Sequence, residues 1–216
     1  MLDSIIREVR NSLCFRQDCI DLVGRAYKCL CASGVVNHDM DENTISENLR
    51  RKMCRDEFSW QKRITIIREQ VISCNQLLTS SESANSLPRI DFQFLQSWST
   101  SASPFEFHIE AKNLYANNFR KSGRKSVTSA SKSHERYVST GIKNLLKGYY
   151  PENSCLLGYV LEGKVCDAVS GVNKMITSIL GNDEVLTLDT PQHIGIETYI
   201  SQHPNGYHIH HLMLQF

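Results

Sequence analysis

Two short segments alternate apolar and polar residues so regularly that each reads as a half-buried β-strand. In "FEFHIEAKNLY" (105–115), Phe105, Phe107, Ile109 and Ala111 alternate with Glu106, His108, Glu110 and Lys112. A period of two places the first set on one face and the second on the other. "RIDFQF" (89–94) repeats the pattern, with Ile90, Phe92 and Phe94 set against Arg89, Asp91 and Gln93. The intervening "SWSTSASP" has turn composition, so the two strands are expected to pair as a hairpin. A fold for this chain must cover the apolar face of that hairpin. It must also account for a polar face that carries two carboxylates and an ammonium.

The flanking sequence supplies the cover. "QDCIDLVGRAYKCLCASG" repeats Ile20, Val23, Tyr27 and Leu30 at helical spacing and stops at Ser33-Gly34. A second helix is expected from about Glu42 to Arg55, with Ile45, Leu49 and Met53 as its stripe. "RITIIREQVI" (63–72) is strand-like with a mixed period, and "SCNQLLTSSESANS" breaks the pattern as a polar loop. After the hairpin, "ERYVSTGIKNLLKGYY" reads as a helix and "SCLLGYVLEG" as a buried strand. "DAVSGVNKMITSIL" follows as a helix, and "GIETYISQH" with "YHIHHLMLQF" as a closing hairpin around Pro204-Asn205-Gly206. This order of elements predicts an α/β fold with a mixed sheet flanked by helices.

At 216 residues, with 41% hydrophobic and 22% charged residues, the chain has the composition of an ordinary globular protein. Its net charge of +1 gives no overall field, so any nucleic acid must be held by a local basic patch. No apolar run approaches the roughly 18 residues of a membrane span, and Asp3, Arg7 and Glu8 interrupt any secretory core at the N-terminus. A cytoplasmic protein without membrane contact is expected, its eight cysteines mostly free thiols. The cysteines lack paired C-x-x-C spacing, which argues against a zinc knuckle.

Asp91, Glu110 and Lys112 share the polar face of the hairpin. Two carboxylates on adjacent strands can hold a hard divalent cation, and a neighbouring lysine can orient water or steady an anionic transition state. The competing reading is a solvated cross-strand ion pair, worth at most about 1 kcal/mol.

"RIDF", a loop and then "IEAK" resemble the PD-(D/E)xK nuclease superfamily, over roughly residues 41 to 161. The core of that family runs helix, strand, strand with Asp, strand with Glu-x-Lys, helix, strand. The resemblance implies a restriction-endonuclease-like domain over 41–216, preceded by a helical N-terminal extension over 1–40. It implies that Asp91 and Glu110 are metal ligands, that the Ala111 carbonyl is a further ligand, and that Lys112 is the catalytic lysine. Mg²⁺ or Mn²⁺ would be the cofactor. Many members add an acidic residue from the first helix; Glu42 and Glu47 are both candidates, and Glu47 is placed in the catalytic set. The pattern departs from the family at Ile90, which precedes Asp91 where proline is usual, Pro88 lying two residues further back. It departs again at Ser133, where some members carry glutamine four residues before a tyrosine.

The expected activity is metal-dependent hydrolysis of nucleic acid, DNA rather than RNA, in restriction or antiviral defence, with a protein partner or a second copy. Arg120, Lys121, Arg124, Lys125, Lys132 and Arg136, against the single acid Glu135, are expected to grip backbone phosphates; the other reading is a solvated loop. The alternative from another class is a non-catalytic subunit of the same fold that binds nucleic acid or docks a partner through residues 1–40. His203, His208, His210 and His211 read as strand residues rather than metal ligands, and Trp60 and Trp98 as packing residues.

Overall fold

The computed structural model describes residues 2–71, 89–96, 105–151, 153–189 and 195–216. The expected polar loop at 73–86 and the turn at 97–104 lie outside them.

Three helices open the chain: α1 (Leu2–Ser33), α2 (Glu42–Arg55) and α3 (Glu57–Gln61). α1 starts well before the expected Gln17, because neither proline nor glycine interrupts it before Gly24. α2 has the expected bounds. The Asp41 carboxylate accepts from the Thr44 N–H and caps its start, and Ile45, Leu49 and Met53 are buried.

The strands are β1 (Thr65–Val71), β2 (Arg89–Gln96), β3 (Phe105–Tyr115), β4 (Phe119–Arg120), β5 (Val127–Thr128), β6 (Ser154–Glu162), β7 (Thr187–Leu188), β8 (Glu197–His203) and β9 (Tyr207–Gln215). β4 and β5 form a small separate hairpin. The other seven make one mixed sheet in the order β1-β2-β3-β6-β9-β8-β7. β1, β2 and β3 form an antiparallel meander, β3, β6 and β9 run parallel, and β9, β8 and β7 are antiparallel again.

The helix after β5 begins earlier than Glu135. Ser129 caps α4 (Ala130–Arg136), which continues through a π-helical turn (Tyr137–Ile142) into α5 (Lys143–Leu146). It ends at Gly148, whose φ of 70° lies in the left-handed region that suits glycine. α6 (Val165–Ile179) follows β6.

Helices cover both faces of the sheet. Phe92, Phe94, Phe107, Ile109 and Leu157 pack with Val23 and Leu30 of α1 and Leu49 and Met53 of α2. On the opposite face Leu156, Val160 and Met213 pack with Tyr137, Ile142 and Val172 of the later helices. β6 is therefore buried on both sides, which explains its nearly unbroken apolar sequence. Among the described residues no helix is long and apolar enough to cross a membrane, and the seven described cysteines are all free.

Candidate functional site

The expected hairpin opens into a fork. β2 and β3 stay in register from Gln96 opposite Phe105 to Phe92 opposite Ile109, and the ladder ends there. Across from Asp91, β1 is also disturbed: its pairing passes from Arg68–Phe92 to Gln70–Ile90, around Glu69 at a φ of 51°. The amide direction alternates along a strand. The His108 N–H points toward the β6 side, to the Asn153 carbonyl, so those of Ala111 and Asn113 point toward the side that β2 has left.

Carboxylates take these two orphan donors. Asp91 Oδ2 accepts from the Ala111 N–H at 2.7 Å, and Glu42 Oε2 from the Asn113 N–H at 2.9 Å. The Ala111 carbonyl accepts from Lys112 Nζ at 2.7 Å. Lys112 Nζ also donates to Glu110 Oε1 and lies 3.5 Å from Glu42 Oε1, which accepts from Arg136 Nη2 at 3.2 Å. Three acids, a lysine and an arginine thus meet where one strand peels away from the next.

This is not a wet sheet face. Asp91, Glu110 and Lys112 are only 9%, 6% and 4% exposed, which removes the solvated-ion-pair reading. Burial pushes the Glu110 carboxyl up to about 7; Lys112 works against the rise and Asp91 adds to it. Burial likewise raises Asp91, with Lys112 opposing. Burial acts to lower the Lys112 ammonium, but Glu110, Glu42 and Asp91 outweigh it and the pKa is raised. Tyr150, also buried, has its phenol raised first by burial and then by the neighbouring Glu110.

One atom in the cluster is poorly satisfied. Glu110 Oε2 is buried and meets no donor at ordinary hydrogen-bond geometry, although the Tyr150 phenol interacts with the Glu110 carboxylate. Native proteins seldom leave such an arrangement uncompensated. With Asp91 and the Ala111 carbonyl it makes an all-oxygen donor set, the chemistry that suits Mg²⁺ or Mn²⁺. Among the described residues no three His, Cys, Asp or Glu side chains gather as a metal group. A cation here would rest on two carboxylates and a main-chain oxygen.

Of the two α2 glutamates, it is Glu42 that reaches the fork. Glu47 is engaged by Arg50 Nε at 2.9 Å, Arg51 Nε at 2.8 Å and Arg68 Nη1 at 3.6 Å. The Arg50 bond, helped by Arg51, lowers its carboxyl to about 2. The structure thus engages Glu47 through hydrogen bonds from Arg50 and Arg51 and an ion pair with Arg68, and does not bring it together with Asp91, Glu110 and Lys112.

The basic residues divide into two groups. Lys121 Nζ donates to the Asp39 and Met40 carbonyls at 3.1 and 3.2 Å, and Arg136 holds Glu42, so both tie their elements to the start of α2. Arg120, Arg124, Lys125 and Lys132 are exposed. A cavity of about 580 Å³ opens beside the fork, lined by Glu42, Asn113, Tyr115, Lys121, Lys132 and Arg136 among others.

A second polar cluster escaped the sequence reading. Tyr137 Oη is hydrogen-bonded to His211 Nδ1 at 2.9 Å, and His211 Nε2 to Ser201 Oγ at 2.9 Å. Ser201 Oγ is bonded to His203 Nε2 at 2.7 Å, and His203 Nδ1 to Glu184 Oε2. His208 is exposed, and His210 is half-buried with its Nδ1 3.6 Å from Asp189 Oδ2. Only the pairing of β8 with β9 and the packing of the π-helical turn bring these residues together, so no local spacing announces them.

Fold and site define a mixed α/β protein with a buried acid–lysine cluster at a strand fork. Comparison with models of known families, with curated protein sequences and with solved structures finds no match.

Proposed function

We propose that the protein is a metal-dependent nuclease of the PD-(D/E)xK kind, hydrolysing phosphodiester bonds of nucleic acid, with DNA as the expected polymer. The observation that carries this reading is the convergence of Asp91, Glu110, the Ala111 carbonyl and Lys112 at one buried fork. The succession of α2, the β1–β3 meander, α4 and a β6 parallel to β3 supports it. A role in restriction or antiviral defence, with a partner protein directing the target, belongs to the same proposal.

Asp91 and Glu110 would hold the cation, with the Ala111 carbonyl beside them. The bound ion supplies charge neutralisation at the phosphate and a more acidic water. Lys112 contributes a fixed positive charge that steadies the phosphate and orients the attacking water. To do so it must release the Ala111 carbonyl, which it now occupies. The low exposure of all three side chains keeps bulk water away and strengthens each charge interaction.

Calorimetry with Mg²⁺ or Mn²⁺ and a cleavage assay with and without EDTA test the reading together. Asp91→Ala should lose metal binding and cleavage by two orders of magnitude or more, with the circular dichroism unchanged. Cleavage by Asp91→Ala at the wild-type rate would remove the assignment. A second reading has its own support: Lys112 already fills the Ala111 carbonyl. On that reading the protein is a non-catalytic subunit of nuclease fold, and neither cation binds.

A further inference from the structure

Three donors converge on the Glu42 carboxylate. The Asn113 N–H reaches Oε2 at 2.9 Å, Arg136 Nη2 reaches Oε1 at 3.2 Å, and the Lys112 ammonium stands 3.5 Å from Oε1. Two full positive charges and a main-chain N–H around one oxyanion are equally the requirements of a phosphate group. Here the protein's own side chain fills that place.

Outward of Glu42 lies the cavity of about 580 Å³, whose wall adds Lys121 and Lys132. Asn113 also lines it, and its Oδ1 is buried without a partner. The volume falls within the roughly 300–1,000 Å³ of small-ligand sites, the scale of a nucleotide and far below that of a duplex. The acids and lysine of the fork are nearly buried. A phosphate reaches them most cheaply on a flexible backbone: bending 20–30 base pairs of duplex by 40–90° costs about 1–6 kcal/mol, a cost an unpaired strand avoids.

We propose that these donors form a phosphate pocket for an unpaired nucleic-acid strand, and that Glu42 is an internal stand-in which the phosphate displaces. Arg136 and the Asn113 N–H pass from the carboxylate to the phosphate, and Glu42 turns away from Lys112. Lys132 and Lys121 hold the neighbouring backbone in the cavity. The inference rests on the nuclease reading for the identity of the strand, whereas phosphate binding is measured without cleavage.

The test is binding in EDTA to inorganic phosphate, to a single-stranded oligonucleotide and to the blunt duplex of the same sequence. Glu42→Gln removes the competing charge and nearly keeps the shape. It should tighten phosphate and single strand by about fivefold, the roughly 1 kcal/mol of one solvent-screened charge contact. Arg136→Ala and Lys132→Ala, both at exposed side chains, should each weaken the single strand several-fold. The wild-type protein should prefer single strand to duplex by about tenfold or more. Phosphate bound no more tightly by Glu42→Gln than by the wild type would overturn the proposal, and so would equal binding of single strand and duplex. Strand binding as proposed, without cleavage of any substrate in Mg²⁺, would keep the pocket and sink the enzyme.

Discussion

Glu110 is the residue on which the electrostatics of the fork concentrate. Its folded pKa of about 7 stands above the ordinary value of 4.5, so the folded state binds its proton more tightly than the unfolded chain does. The stability this contributes is complete below pH 4.5 and is lost as pH rises through 7, on the order of 3 kcal/mol. The raised Asp91 acts in the same direction. Without divalent ions, urea midpoints should therefore fall more steeply between pH 4.5 and 7 in the wild type than in Glu110→Gln, which lacks the titrating group. Parallel curves for the two proteins would count against a buried, protonatable Glu110. Glu110 and Lys112 were legible in the sequence because a two-residue period fixes the face of each side chain; at Asp91 the period breaks, since Ile90 packs in the cluster opposite to that of Phe92 and Phe94. The choice between Glu42 and Glu47 was not legible. It depends on which end of α2 lies at the strand fork and on three arginines, one of them from β1.

Among the elements, those with a sustained apolar period were the ones the sequence announced: α2, β2, β3, β6, α6 and the β8–β9 pair. β4 and β5 are two residues each, too short for any period to register. α1 outran its reading because Ile6, Val9 and Leu13 are exposed and bind that turn of helix to nothing in the core. β6 is closely packed at its glycine. A Cβ placed on Gly158 would come within 2.5 Å of the Met213 sulfur and 2.8 Å of Leu114 Cδ1. Leu114 belongs to β3, two residues beyond Lys112, and Met213 to β9, so glycine here lets the parallel strands keep their side chains interlocked. Gly158→Ala should cost about 1–3 kcal/mol through overpacking, read as a lower urea midpoint at unchanged slope. Full stability in the variant would mean that Met213 and Leu114 move aside freely.

At the scale of the whole molecule, the sheet joins two antiparallel wings through three parallel strands. One wing carries the fork, and the other carries the buried chain from Tyr137 to Glu184. That chain has a polarity. With His203 neutral and its Nδ1–H on Glu184, the Ser201 hydroxyl donates to His203, the His211 Nε2–H to Ser201, and the Tyr137 hydroxyl to His211 Nδ1. Every donor and acceptor is used once. Burial holds His211 well below the ordinary imidazole pKa, so it stays neutral and can only exchange tautomers. Tyr137→Phe removes the donor at one end of this row and should cost about 1–3 kcal/mol, read as a lower urea midpoint; an unchanged midpoint would mean that His211 Nδ1 is satisfied without Tyr137. Five side chains bound end to end are a one-way street for hydrogen, every donor in the row facing the Glu184 end.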